Sequence, residues 1–391
     1  MRLGYFLSCE EFTPAQLVEQ AVMAEQAGFE SLWISDHFHP WNDEQGQSPF
    51  VWSVIGALSQ ACSLPVTTAV TCPTMRVNPV VVAQAAATSA TMLKGGFTLG
   101  LGTGEALNEH ILGEAWPSLD VRLEMLEEAV GLIRELWQGD FVNHRGRFYT
   151  VDTARIYTIP DTPPPIYLSG FGPKATDLAA RIGDGYITTS PDTELLSRFR
   201  DASGGKPAQA GSKVAWAPTQ DEGVEIAHRL WGTSGLPGEL AQVLPSPRHF
   251  EQAAELVTKE QTRSSVSCGN DTDQHIESLR PYVEAGFEEL YISNMGPNYA
   301  DMIHAFGREV LPALRDLAHQ SQTDGGTDEP QPTGRGNPTC REEPRHGAAH
   351  GGRRDLGRAR PDAADRIARR LILRSGPGTD PHATCPAYPA G

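Results

Sequence analysis

Two hydrophobic rhythms alternate along the chain. Short, nearly continuous runs of β-branched and apolar residues read as buried strands: Leu3 to Leu7, Ser31 to Ser35, Val66 to Thr71, Phe97 to Leu101, Ile166 to Ser169, Tyr186 to Thr189, Lys213 to Ala217 and Glu289 to Ser293. Between them lie stretches whose apolar positions recur every three or four residues, as on one face of a helix. In Thr13 to Gly28, Thr13 is placed to cap a helix with Gln16 as capping-box partner, Pro14 takes the first helical position, and Gly28 supplies the stop. From Leu119 to Gln138 one stripe runs through Leu119, Leu123, Leu126, Val130, Ile133 and Trp137, and Gly139 ends it. Eight apolar strands alternating with helices predict an α/β fold, a parallel sheet closed into a (β/α)8 TIM barrel. Residues 201–212 and 232–249, rich in Gly, Pro, Ser and Ala, read as loops or insertions in that barrel.

Composition changes this picture at one end. Residues 321–391 hold eleven Arg, no Lys, eleven Gly, nine Pro and one aromatic, Tyr388, which is not the makeup of a packed core. The expected organisation is a barrel domain over 1–320 and a disordered Arg/Gly/Pro-rich tail over 321–391. Within that tail only Asp362 to Arg374 has the pattern of a short basic amphipathic helix. Net charge is −17; the tail's eleven Arg against nine Asp and Glu contribute +2, leaving −19 for the body. Such an acidic body argues against nucleic acid or an anionic membrane as partner and favours a small-molecule substrate. Six cysteines, at 9, 62, 72, 268, 340 and 385, form no CxxC pair, and no apolar run approaches ~18 residues. The first residues lack the features of a signal peptide, so a cytoplasmic location is expected.

In such a barrel, side chains just past the C-terminal ends of the strands face the active site. The second strand is followed by Ser35-Asp36-His37-Phe38-His39-Pro40-Trp41, where His37 is a candidate general base and Trp41 can lend its ring or N–H to a bound anion. A plainer reading has Asp36 and His37 merely holding the loop. His37 and His39 also form an HxH pair, which in a metal-dependent barrel hydrolase would ligate metal. The ends of the next strands, Ser169-Gly170-Phe171-Gly172 and Thr188-Thr189-Ser190-Pro191, offer no His, Cys or carboxylate before Asp192, so no metal is expected. After the fourth strand, Gly100 to Glu109 (GLGTGEALNE) places Glu105 as a candidate acid among glycines that let backbone approach a flat ligand; it fails as a dinucleotide fingerprint because Glu105 sits at the third glycine position. Ser169 to Thr176 opens a small-residue loop into a helix, either a phosphate cradle or a tight turn.

Taken together, SDHF with Pro40-Trp41, GTGEALNE from Gly102 to Glu109, Ala115-Trp116-Pro117 and Gly183-Asp184-Gly185 resemble, in order and spacing, the deazaflavin-dependent glucose-6-phosphate dehydrogenase family of the luciferase-like superfamily, over about residues 1–317. The resemblance implies coenzyme F420 as cofactor and a homodimer. It implies that His37 takes the substrate hydroxyl proton as hydride passes to C5 of the deazaflavin, that Glu105 handles the proton at N1, and that Trp41 stabilises charge. It assigns cofactor contacts to Asp36, Ala69, Val70, Cys72, Thr103, Asn108, Gly170, Phe171, Gly172 and Pro173, with Ala69-Val70 at a strand bulge that carries a non-proline cis peptide in the family.

The chain also departs from that pattern. Cys72 replaces a threonine, and Phe171 replaces the first residue of a diglycine. The cationic positions that clamp a sugar phosphate fall on Asp192, Gln252 and Ser265, with Thr189 beside the substrate; Arg263 and Lys259 are the nearest replacements. Losing a charge-assisted hydrogen bond costs roughly 1.5 to 3 kcal/mol, so a non-phosphorylated alcohol is expected in place of glucose 6-phosphate. The alternatives are an FMN-dependent luciferase-like monooxygenase, the metal-dependent hydrolase, and a non-catalytic cofactor-binding relative.

Overall fold

The computed structural model describes residues 1–324. The tail expected over 321–391, including its basic helix, lies outside the described residues except for the start. There the helix Leu311–Asp324 runs four residues past the expected boundary at 320.

The strands are β1 (Arg2–Leu7), β2 (Leu32–Ile34), β3 (Val66–Thr68), β4 (Phe97–Leu101), β5 (Val142–Arg145), β6 (Thr150–Ala154), β7 (Ile166–Ser169), β8 (Gly185–Thr188), β9 (Ala208–Ala215), β10 (Ser267–Cys268) and β11 (Glu289–Asn294). Among the described residues, eight of them close a parallel barrel in the order β1-β2-β3-β4-β7-β8-β9-β11, with β11 pairing back onto β1. The short β10 adds to the far edge of β9. A continuous apolar layer lies between the strands and the surrounding helices. A second, smaller cluster of Phe6, Trp33, Ile187 and Tyr291 fills the barrel itself.

The two helices read from the sequence form with the expected chemistry. Thr13 and Gln16 complete the capping box, Pro14 opens the helix Pro14–Ala27, and Gly28 closes it at φ 92°. The helix Leu119–Leu136 stops slightly short of Gln138, and Gly139 follows with φ 83°.

Three segments differ from expectation. The seventh barrel strand begins at Ala208, inside the stretch read as a loop, and its small residues have a steric cause. Trp33 of β2 reaches across the barrel, stacks on Tyr291 with ring centroids 4.5 Å apart, and donates from Nε1 to Gln209 Oε1 at 2.8 Å. A Cβ at Gly211 would overlap the Trp33 ring, so β9 stays small where Trp33 is large. Residues 232–249 contain the helices Leu240–Val243 and the start of Pro247–Ala254 in place of open loop. The antiparallel hairpin β5-β6 is absent from the sequence reading because its strands are short and largely exposed. It is pinned by Glu128, whose carboxylate accepts the N–H groups of Arg147, Phe148 and Tyr149. Among the described residues no helix is long and apolar enough to cross a membrane.

Candidate active site

Five loops leave the C-terminal ends of β1, β2, β3, β4 and β7, and they bring most of the expected site residues together. Asn108 sits at the centre. Its Oδ1 accepts the N–H groups of Phe38 (2.9 Å) and His39 (3.1 Å), which fixes the orientation of the amide. Its Nδ2 therefore faces His37 Nδ1 at 3.1 Å and Glu105 Oε2 at 3.3 Å. One side chain thus spans the loops after β2 and β4 and joins the candidate base to the candidate acid. Trp41 lies beside His37, ring centroids 5.0 Å apart, and is braced edge-on by Phe250, also at 5.0 Å.

His37 has a further partner that the sequence reading missed. Its Nε2 lies 3.4 Å from Glu10 Oε1, and the other Glu10 oxygen accepts from Ser35 Oγ at 2.7 Å. Burial pushes the Glu10 carboxyl up, but His37, Lys213 and the Ser35 hydrogen bond outweigh it and hold the group below its ordinary range. Because the Asn108 amide donates to His37 Nδ1, the neutral ring carries its proton on Nε2, facing Glu10, while the His39 carbonyl, 3.2 Å from Nδ1, is an acceptor for a proton on that nitrogen in the imidazolium. His39 itself turns away, with Nδ1 2.9 Å from the Leu107 carbonyl, so the two rings of the HxH pair serve different elements. Among the described residues no group of three His, Cys, Asp or Glu is placed to hold a metal.

Lys213 was likewise unexpected. It is half-buried on β9, its ammonium 3.8 Å from the Trp231 ring centroid and 4.4 Å from that of Phe6, and it donates to Ser8 Oγ at 2.7 Å. Burial pushes its pKa down, with Glu10 and Glu11 pulling it back. Glu11 accepts the Gly296 N–H at 2.8 Å and the Trp231 indole N–H, yet its burial pushes it up to about 7. Two signals were present in the sequence. Glu10 and Glu11 follow β1 just as Asp36 and His37 follow β2, and Lys213 is the charged residue within an otherwise small, neutral β9.

Asp36 is committed inside the protein. Thr71 Oγ1 donates to one oxygen and Arg76 to the other, each at 2.8 Å. Cys72 is buried, its sulfur 2.9 Å from Thr74 Oγ1. Ala69 and Val70 are half-buried, joined by a cis peptide bond, and pack on the Phe6, Trp33, Ile187 and Tyr291 cluster. Thr103 is half-buried between Gly102 and Gly104. Gly170 accepts from the Tyr186 hydroxyl at 2.6 Å, Phe171 is exposed, and Gly172-Pro173 opens the helix Pro173–Ile182 with no side chain capping it.

The residues expected on the substrate side lie on later loops and helices. Asp192 caps the helix Thr193–Ser203, accepting from Glu194 N and Leu195 N at 3.0 Å each. Thr189 is exposed, and its carbonyl accepts from the Tyr282 hydroxyl at 3.0 Å. Gln252 is exposed on the helix whose Phe250 braces Trp41. Arg263 and Lys259 are bound to acids of the helix Gln220–Trp231, Arg263 to Asp221 at 2.7 Å and Lys259 to Glu225.

A family model for luciferase-like monooxygenases matches residues 1–289. The chain belongs to that family. It is 38% identical over 337 residues to an F420-dependent glucose-6-phosphate dehydrogenase of Nakamurella multipartita, covering 82% of this chain and 98% of the relative. A protein of the same name from Microbacterium testaceum is 36% identical over 329 residues, covering 81% and 98%. Among solved structures, an F420-dependent secondary alcohol dehydrogenase in complex with an F420-acetone adduct superposes with TM-score 0.74 at 34% identity, covering 81% of this chain and 99% of that one. The tetrahydromethanopterin reductase of Methanopyrus kandleri, at 16% identity and TM-score 0.65, shares the fold. The chain is an oxidoreductase of the luciferase-like superfamily, and these relatives are named for their dependence on F420.

Proposed function

We propose that the chain moves a hydride between a non-phosphorylated alcohol and C5 of coenzyme F420, with His37 as the base for the substrate hydroxyl. The observation that carries this reading is the Asn108 bridge. It ties His37 to Glu105 through hydrogen bonds of 3.1 and 3.3 Å, so two proton-handling groups from different loops share one anchor. The loops also fit a flat, anionic cofactor. A Cβ at Gly102 would come within 2.7 Å of Val70 Cγ2 and 2.9 Å of Ser169 Oγ, so only glycine leaves the strand ends this open. The uncapped helix N-terminus that follows Gly172 has free first-turn N–H groups, at Lys174 and Ala175, for a phosphate, which an acidic body cannot hold by bulk charge.

Bound F420 supplies the carbon that takes or gives the hydride and a ring nitrogen that is protonated with it. His37 accepts the hydroxyl proton, and the imidazolium so formed faces the Glu10 carboxylate with Nε2 and the His39 carbonyl with Nδ1. Glu105 supplies or accepts the proton at the cofactor ring. Trp41, held by Phe250, presents its ring beside His37 and closes the site to water on that side. Val70, Thr103 and Gly170 to Pro173 form the cofactor seat, while Asp36, Cys72 and Asn108 support it from within.

The rim favours an uncharged substrate. Asp192 offers a carboxylate, Gln252 and Ser265 are neutral, and the cations Arg263 and Lys259 are already paired. Among the relatives, the names cover both a sugar phosphate and a secondary alcohol; the rim chemistry here supports the second. We also propose that the chain works as a homodimer. Purified protein titrated with F420 and with FMN tests the cofactor assignment. F420 is expected to bind at micromolar concentration or below, and FMN binding in its place would refute the assignment.

A further inference from the structure

We propose that Arg76 is a positioning residue, an ionic lock that holds the His37 loop and the Glu105 loop in fixed relation. This inference rests on the reading of His37 and Glu105 as the proton-handling pair. Arg76 stands in the loop between β3 and the helix Pro79–Met92. Its guanidinium reaches Asp36 Oδ1 at 2.8 Å and Glu109 Oε1 at 3.4 Å, and its backbone N–H donates to Glu109 Oε2 at 2.8 Å. Asp36 directly precedes His37. Glu109 ends the one-turn helix Ala106–Glu109, whose N-cap is Glu105. A third loop therefore grips the other two at the residues next to the chemistry.

Packing alone gives no reason for such a set. The side chains of Arg76, Asp36 and Glu109 are 7%, 1% and 1% exposed, and a buried ion pair of this kind is often no more stable than apolar residues of equal volume. The cluster is also unbalanced, one cation against two carboxylates, with Glu105 and the Cys72 thiol close by. Burial pushes Glu109 up, and the Arg76 N–H and guanidinium work against it. What the lock adds is direction. Both carboxylates aim at one planar fork, so neither loop can turn without breaking a charge-assisted hydrogen bond. The Asn108 bridge fixes the same two loops with neutral hydrogen bonds, and Arg76 supplies the ionic half.

The test compares R76K, R76M and E109Q with the parental chain. In cofactor-free protein the His37 imidazole resonances are followed by NMR, assigned through their loss in His37→Gln. Melting temperature, F420 affinity from deazaflavin fluorescence and kcat on the best alcohol are measured alongside. R76M is expected to displace the His37 resonances and lower kcat by about 100-fold, the scale of a misplacement near 1 Å, while F420 affinity changes far less. R76K is expected to return the resonances and most of kcat. His37 resonances unmoved by R76M would overturn the proposal, as would an R76K no better than R76M, or affinity, kcat and melting temperature falling in step. If R76M does not fold, E109Q must displace the same resonances, and its failure to do so would equally overturn the lock. The NMR readout needs no turnover, so a parental chain that oxidises no alcohol would count against the proposed function alone.

Discussion

Glu11 is a carboxylate whose burial outweighs the partners it has. Its carboxylate accepts two N–H groups, from Gly296 and the Trp231 indole, but lies close to Glu10 in a buried site that pushes it up to about 7. The sign follows from proton counting. An acid with a raised pKa in the fold binds more protons folded than unfolded across the interval between the two values. Its stabilising contribution is therefore full below the unfolded value near 4.5 and is lost as pH rises through about 7. The parental chain is expected to exceed Glu11→Gln in melting temperature by more at pH 5 than at pH 8. An advantage that stays flat or grows with pH would contradict this account. The same residue marks a limit of sequence reading at this scale. His37, Trp41, Glu105 and Asn108 stood in recognisable motifs, whereas Glu10, Arg76 and Lys213 matter through partners 25 to 205 residues away, which periodicity does not encode.

At the scale of elements, strands were legible where apolar runs were continuous and illegible where tertiary packing set the composition. β9 looked like loop because its first residues are small, with Gly211 required to clear Trp33, and the β5-β6 hairpin was hidden because its strands are short and most of their residues are exposed or half-buried. The helix caps needed no tertiary context, since Thr13, Gln16 and Gly28 act within one turn of chain. One pair of elements carries a prediction of its own. The helices Val51–Ala61 and Pro79–Met92, with the preceding Phe50, expose Phe50, Val81 and Met92 around Trp52, the apolar face at which the proposed homodimer is expected to form. Sedimentation velocity is expected to show two chains per particle, reduced to one by Val81→Glu. A parental chain that sediments as a monomer would refute the pairing.

At the scale of the whole molecule the body is acidic, so the proposed anionic cofactor would be held locally, by backbone N–H groups of the first helical turn after Gly172 in place of bulk positive charge. The barrel was readable because eight strands and their helices repeat one rhythm; the substrate was not, because the rim positions proposed to face it, such as Asp192 and Gln252, carry no periodic signal. The most direct measurement follows F420 absorbance while purified chain is offered unphosphorylated alcohols, sugars and sugar phosphates, with His37→Ala beside it. Cofactor reduction is expected with an unphosphorylated alcohol, lost by about 100-fold or more in His37→Ala. Efficient turnover of glucose 6-phosphate with no response to any alcohol, or full activity in His37→Ala, would contradict the account.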